Sequence, residues 1–465
     1  MKNLVLNRHK IFGTDGIRGT PGVYPLTDDM LSVIARSIGW QVLRLGEKRV
    51  KKAVIGRDTR ASGGKIERIL AENIRAFGVD VKLAGTITTP GLSFLVKKFN
   101  ADIGIMISAS HNKAQDNGIK FFNAKGYKYS QEEEESIEDF IFEILAGSSA
   151  FKPAKTKGTV SAVKDAQKIY STFLISTVGK LDLTGTTVAL DCAWGAAAPF
   201  ARKIFEKLGA RVHAIHDSPS AENINEGGAV NPVLLKKLVL ETEADMGIAV
   251  DGDGDRGILV DEKGEVLDGD TILAVIARHM ISRKTLIDKT VVATVMSNYG
   301  LKKSISECGG KLLCTSVGDK FVLESLLKNG LNLGGEQSGH IIFFDHLSTP
   351  DGLLTALQML RVIKEEGVSL GTLRTCMTRF PQILVNVKVK ERTPFEKMPK
   401  VSEKLKDVTA ALKDEGRVLL RYSGTELLAR VMVEGKDKTM IESLAHGLAD
   451  VIRREIGVEA EKEKV

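Results

Sequence analysis

Short runs in which nearly every residue is apolar or glycine recur along this chain, and they restrict its fold class before anything else does. Ile103 to Ile107 is the clearest. A strand with one wet face alternates apolar and polar residues, so a run without alternation suits a strand covered on both faces, as in a helix-flanked parallel sheet. Around it the sequence predicts a strand over 53–56 and a helix capped by Ser62, with Ile66, Ile69, Leu70, Ile74 and Phe77 on its apolar face and Gly78 as its stop. Val79, Val81 and Leu83 then alternate as a strand. The order returns with strands over 187–190, 212–215 and 246–250 and helices over 196–208 and 233–240. It returns once more with helices over 271–281 and 320–328 and strands over 291–295 and 312–314. Residues 379–465 differ: alternation at 383–389 and 430–434, with helices near 402–413 and 438–454, predicts a smaller α+β domain.

At roughly 100–200 residues per domain, 465 residues make about three domains, and the change of pattern raises that to four. The expected divisions are 1–157, 158–263, 264–378 and 379–465, the first closing on the Lys- and Pro-containing stretch 151–158. Charge excludes one broad class of partner. The 66 Lys and Arg against 59 Asp and Glu leave only +7, and a nucleic-acid binder would gather its basic residues on one face. The basic run over 48–52 and the acidic run over 132–135 read as solvated surface. Four widely spaced cysteines, Cys192, Cys308, Cys314 and Cys376, form no CxxC pair, so neither a zinc site nor a disulfide framework is indicated and a reducing compartment fits. Without a signal-peptide core or an apolar run of about 18 residues, the expectation is a soluble cytoplasmic protein with no membrane partner.

The densest chemistry is Asp251-Gly-Asp-Gly-Asp255-Arg256, directly after the apolar run ending at Val250. Carboxylates at alternate positions separated by glycines can curl around one hard cation. A calcium EF-hand places Asp251, Asp253, Asp255 and Glu262 at loop positions 1, 3, 5 and 12, but Arg256 stands where glycine is required and the flanks read as strands. Magnesium, which keeps open positions for water and phosphate, fits better. Ser108-Ala-Ser110-His-Asn112 also follows a buried strand, and small neighbours leave Ser110 exposed enough to act as a nucleophile, although the G-x-S-x-G elbow is absent. Gly334 to His340 places Glu336, Ser338 and His340 on a Gly-rich loop suited to reading sugar hydroxyls. Arg421-Tyr-Ser423-Gly424-Thr425 combines guanidinium, hydroxyl and backbone donors suited to phosphate.

Taken in order, these segments resemble one family, the α-D-phosphohexomutases. Phe12-Gly-Thr-Asp-Gly-Ile-Arg18-Gly19 is similar to its opening motif, Gly56-Arg-Asp-Thr-Arg60 to its next, and 108–112 to its phosphoserine loop. The triple-Asp, Gly335–His340 and Arg421 loops follow in family order. Asp116 to Phe122, Gly335 to His340 and Arg430 to Gly435 most resemble the bacterial branch acting on glucosamine phosphates, with Ser108 as a specificity marker where relatives commonly carry Thr.

The resemblance implies three similar α/β domains and a smaller C-terminal α+β domain around a central cleft, interconverting sugar 6-phosphates and 1-phosphates. It implies a phosphoserine at Ser110, Mg²⁺ on Ser110, Asp251, Asp253 and Asp255, and a bisphosphorylated sugar as primer. Lys120 and His340 become candidates for proton transfer, and Arg18 lies near the transferring phosphate. Ser108, Glu336 and Ser338 join the substrate contacts, while Arg421, Ser423, Gly424, Thr425 and Arg430 hold the second phosphate. The partner is a phosphosugar, and the protein is a monomer or homodimer. The alternatives are activity on glucose or mannose phosphates, or phosphosugar binding without catalysis. Lys113 departs from the family's usual proline, which implies a looser, more basic serine loop. Tyr422 and Leu427 stand where proline is common, Trp194 replaces a common Asn, and the segment from Asn223 lacks a frequent Gly-Ser-Thr-His ending.

Overall fold

The computed structural model describes residues 10–13, 15–44, 50–148, 152–423 and 426–458. They divide into two compact units, one of residues 1–294 and 312–375, the other of residues 295–311 and 376–465.

The first unit holds three sheets. The first sheet comprises β1 (Ile17–Gly19), β2 (Lys52–Arg57), β3 (Asp80–Thr86), β4 (Ile103–Ile107), β5 (Asn117–Asn123) and β6 (Val160–Ala162), in the order β1-β5-β4-β2-β3-β6. All five residues of β4 are buried, as the missing alternation requires. The sheet is mixed rather than wholly parallel: β4 runs parallel to β2 and antiparallel to β5. The second sheet contains β7 (Thr187–Asp191), β8 (Arg211–Ile215), β9 (Met246–Val250), β10 (Gly257–Asp261) and β11 (Val266–Leu267), in the order β11-β10-β9-β7-β8. The third contains β12 (Thr290–Thr294), β13 (Lys311–Thr315), β14 (Leu333–Gly335) and β15 (Ile341–Phe343), in the order β13-β12-β14-β15.

A common device places the chemistry. In each sheet a strand with a parallel neighbour turns back into an antiparallel one, β4 into β5, β9 into β10 and β14 into β15. The three connecting turns are the Ser110, triple-Asp and Glu336–His340 loops.

Several local expectations change. Ser62 precedes the helix Gly63–Arg75 but is itself helical and makes no side-chain cap; its hydroxyl accepts from Asn117 Nδ2 at 2.8 Å. The helix expected over 196–208 shrinks to Ala201–Lys207, because turns occupy 196–200. The runs read as solvated are partly structural: Lys51 is buried 3.6 Å from Asp102, and Glu134 is buried 3.2 Å from Lys320. Lys48 and Arg49 lie outside the described residues, as does Phe151 of the expected linker.

The second unit contains β16 (Gln382–Lys388), β17 (Gly416–Tyr422) and β18 (Leu428–Gly435), an antiparallel sheet ordered β16-β18-β17. Helices Pro399–Leu412 and Lys438–Ile456 bury Val401, Val408, Ala445, Leu448 and Ile452 with Val431 and Val433 of the sheet. The helix Tyr299–Glu307 also belongs to this unit.

Candidate active site

Ser110 is held in an unusual backbone conformation. Its φ is +52°, a left-handed geometry that costs a non-glycine residue about 1 kcal/mol or more. Three groups hold it there. Its N–H donates to Ser108 Oγ at 2.8 Å, and its carbonyl accepts from Arg60 Nη2 at 2.9 Å and Asn225 Nδ2 at 2.8 Å. Arg60 is 1% exposed. It pairs with Asp58 at 2.9 Å and donates to the carbonyls of Asn112 at 2.8 Å, Asp116 at 2.9 Å and Lys113. The Lys113 carbonyl is therefore pinned although no proline stiffens the loop. Ser108, expected among the substrate contacts, is fully buried and supports Ser110 from below.

The held hydroxyl points at carboxylates. Ser110 Oγ donates to Asp251 Oδ2 at 2.9 Å. Asp251, Asp253 and Asp255 are buried, with ligand oxygens within 4.8 Å of one another. Burial, then Asp255 and Asp253, push the Asp251 carboxyl up to about 7. Lys120 supplies partial compensation on β5, its Nζ 2.8 Å from Asp253, 3.1 Å from Asp15 and 3.2 Å from Asp255. Burial works against its ammonium, but those three carboxylates hold it well above the lysine range.

One oxygen stays unsatisfied. Asp253 Oδ2 accepts from Lys120 and, at 2.5 Å, from Thr89 Oγ1, whereas the buried Asp253 Oδ1 has no hydrogen-bond partner. Buried polar atoms rarely stay unpaired. An orphan carboxylate oxygen among three carboxylates and a serine hydroxyl is an all-oxygen donor set that fits a divalent cation. Glu262, the twelfth position in the EF-hand reading, instead accepts from Ser369 Oγ at 2.7 Å and Gly371 N–H at 2.9 Å.

The third turn closes on the same carboxylates. His340 lies 3.1 Å from Asp255 through Nε2 and 2.9 Å from Glu336 through Nδ1. Burial disfavours its charge, yet carboxylates on both ring nitrogens raise it to about 10. Glu336 also accepts from Gly318 N–H at 2.9 Å, and Ser338 Oγ lies 3.3 Å from His340 Nδ1. Arg256 reaches His340 Nε2 at 3.3 Å and Asp251 at 3.9 Å. Arg18, on β1, pairs with Asp15 at 2.8 Å and reaches the Ala109 carbonyl at 3.4 Å and Asn112 Oδ1 at 3.3 Å. The first unit thus brings Arg18, Ser110, Lys120, the three Asp, Glu336, Ser338 and His340 into one network.

The second unit presents a separate basic pair. Arg421 on β17 stands directly opposite Arg430 on β18, an arrangement of like charges that is destabilising unless an anion shares them. Arg430 Nη2 reaches Ser423 Oγ at 3.3 Å, while its buried Nε has no hydrogen-bond partner. Gly424 and Thr425 lie outside the described residues. Sequence reasoning missed the bracing roles of Asp15, Arg60, Thr89 and Asn225. Asp15, Arg60 and Asn225 lie within the family-like segments 12–19, 56–60 and that from Asn223, but nothing local reveals partners so distant in the chain.

This combination of fold and site defines a known class. Models of the phosphoglucomutase/phosphomannomutase family match in chain order: α/β/α domain I over residues 9–147, domain II over 166–264, domain III over 268–380 and the C-terminal domain over 384–451. The chain belongs to this family, the α-D-phosphohexomutases, whose members are isomerases that move a phosphoryl group. More particularly, it is 45% identical over 453 residues to the phosphoglucosamine mutase of Anaeromyxobacter sp. (strain Fw109-5), with 96% of each chain covered. It is 46% identical over 451 residues to that of Geobacter metallireducens, covering 96% of this chain and 99% of the relative. A phosphoglucomutase/phosphomannomutase family protein from Burkholderia thailandensis shares the fold, with a TM-score of 0.80 at 23% identity over 97% of this chain and all of that one. Among the described residues no helix is long and apolar enough to cross a membrane.

Proposed function

We propose that this protein is a phosphoglucosamine mutase, interconverting glucosamine 6-phosphate and glucosamine 1-phosphate through a phosphoserine at Ser110 and a 1,6-bisphosphate. The observation that carries the reading is Ser110 Oγ, 2.9 Å from Asp251, in a buried triad whose Asp253 Oδ1 lacks a partner. Near-full-length identity to relatives of that name supports the choice of sugar.

Asp251, Asp253, Asp255 and Ser110 would hold Mg²⁺. When bound, it supplies positive charge that stabilises the transferring phosphoryl group. The bond from Ser110 Oγ to phosphorus breaks as phosphorus bonds the sugar's free hydroxyl oxygen. One proton must travel from that hydroxyl to Ser110 Oγ. Lys120 and His340 are both held in their protonated forms, so either can protonate the departing serine oxygen and be recharged by the hydroxyl. The bisphosphate then turns over and returns its other phosphoryl group to Ser110. Arg18 steadies the serine loop beside that group. Glu336 and Ser338 bind sugar hydroxyls, and Arg421, Ser423, Gly424, Thr425 and Arg430 grip the phosphate not being transferred.

Four domains divided near residues 157, 263 and 378 and a monomeric or homodimeric state belong to the same reading. So does the cytoplasm, where four free thiols would stay reduced. The test is turnover of glucosamine 6-phosphate with Mg²⁺ and a bisphosphate primer, run beside glucose and mannose 6-phosphates. Glucosamine should be strongly preferred, and Ser110→Ala should abolish both turnover and the phosphate detected on the 108–113 peptide. Equal or greater turnover of another sugar would reject this specificity, and a fully active S110A protein would reject the nucleophile.

A further inference from the structure

We infer that Asn225 is a positioning residue whose side-chain amide clamps the Ser110 loop to the triple-Asp loop. The inference rests on the phosphoserine reading for its catalytic consequence, but its structural part stands alone. Asn225 Nδ2 donates to the carbonyls of Ser110 at 2.8 Å and Asn112 at 3.0 Å, while its Oδ1 accepts from Gly252 N–H at 2.7 Å. Two carbonyls and one N–H fix the amide's orientation, since the flipped form would face oxygen with oxygen and N–H with N–H.

The two loops it joins come from different sheets. Gly252 lies between Asp251 and Asp253, so one planar amide spans both partners of the 2.9 Å contact between Ser110 Oγ and Asp251. The approach is close enough to restrict the neighbouring residue: a Cβ at Gly252 would lie 2.8 Å from Asn225 Nδ2. Asn225 itself has φ +68°, a region that asparagine and glycine enter most readily. Arg60 grips the same two carbonyls but is bonded to Asp58 and carbonyls of the serine loop. Asn225 adds the link to the metal-binding turn. In group transfer, small errors in the separation of reacting groups carry large rate penalties, and this amide sets one such separation through the backbone without touching substrate.

Asn225→Gly is the informative variant, because glycine accepts φ +68° and only the side chain is lost. Asn225→Asp is the second: it keeps an acceptor for Gly252 N–H but presents carboxylate oxygen to two carbonyls. Both should fold. Hydrogen–deuterium exchange should rise at least threefold in peptides covering 108–113 and 250–256, with peptides from the second unit unchanged. With wild-type protein turning over glucosamine 6-phosphate as the reference, kcat should fall at least tenfold in either variant, the KM for sugar phosphate staying within twofold and half-saturating Mg²⁺ rising several-fold. Unchanged exchange in both loops would overturn the clamp. Faster exchange with unchanged kcat and Mg²⁺ dependence would overturn its catalytic consequence. Wild-type protein inactive on every sugar phosphate would count against the mutase reading, leaving the exchange result to judge the clamp.

Discussion

At the scale of single residues, two buried polar atoms of the candidate site lack hydrogen-bond partners. Asp253 Oδ1 is one. Asp253→Asn keeps the side chain's shape and removes a charge from the donor set, so half-saturating Mg²⁺ should rise at least tenfold, measured by activity and by direct Mn²⁺ titration. Arg430 Nε is the other. Because Arg430 faces Arg421 across the sheet, Arg430→Ala should leave the melting temperature unchanged or slightly higher. The same variant should raise KM for the sugar phosphate by about tenfold or more, the worth of a charge-assisted hydrogen bond. Gain in stability with loss of affinity separates a binding residue from a packing one.

At the scale of elements, the helix Gly269–Ser282 is built into the site. Gly269 N–H donates to the Gln337 carbonyl at 3.0 Å, and a Cβ at Gly269 would lie 2.0 Å from the Glu336 carbonyl. Gly269→Ala should therefore displace the turn carrying Glu336 and His340, costing about 2 kcal/mol by overpacking and raising KM; chemical denaturation and kinetics check both. The helix Gly352–Glu366 opens on Asp351, which accepts from Leu353 and Leu354 N–H and from Tyr170 OH. Burial outweighs those bonds and pushes the Asp351 carboxyl up to about 6. An unfolded aspartate releases its proton near 3.9, so the stability this group contributes is full below that value and lost as pH rises through about 6. Asp351→Asn retains a cap and removes that titration. Relative to wild type it should gain about 1.4 kcal/mol between pH 5 and pH 8, read by urea unfolding.

The same helix shows where sequence reading stops. Residues 352–360 and Val362 are all buried, and no element was anticipated there although Thr355, Gln358, Arg361 and Lys364 recur at helical spacing. The helix Asp28–Arg44 was also missed. Strand Met246–Val250 was legible to its ends because each residue is apolar and an acidic, glycine-rich turn follows. The site's charged residues were legible because family-like motifs carry them, whereas the Asn225 clamp depends on partners 115 and 27 positions away. Ser62 misled because a serine before an apolar stripe ordinarily caps it; here its hydroxyl serves Asn117. Ser108, expected as a substrate contact, is buried, and its hydroxyl accepts from Ser110 N–H and bonds the Asp58 carboxylate.

At the scale of the whole molecule, the two units own separate cores, so unfolding should not be a single two-state event. Glu434 offers a test confined to one unit. It is fully buried, pairs with Arg417 at 2.5 Å and accepts from Asn298 at 3.1 Å. Glu434→Ala leaves Arg417 without its carboxylate, a loss of about 3 kcal/mol. Scanning calorimetry should show the transition of the second unit moving down while that of the first holds; a uniform shift would mean that the units unfold together.

Residues 295–311 belong to the second unit although first-unit residues lie on both sides of them in the chain. During synthesis this segment leaves the ribosome well before β16, β17 and β18 exist to receive it. At about 5–20 residues per second it waits on the order of ten seconds. The unit that takes up this short helix, with its fully buried Leu301 and Ile305, is therefore completed only late in synthesis.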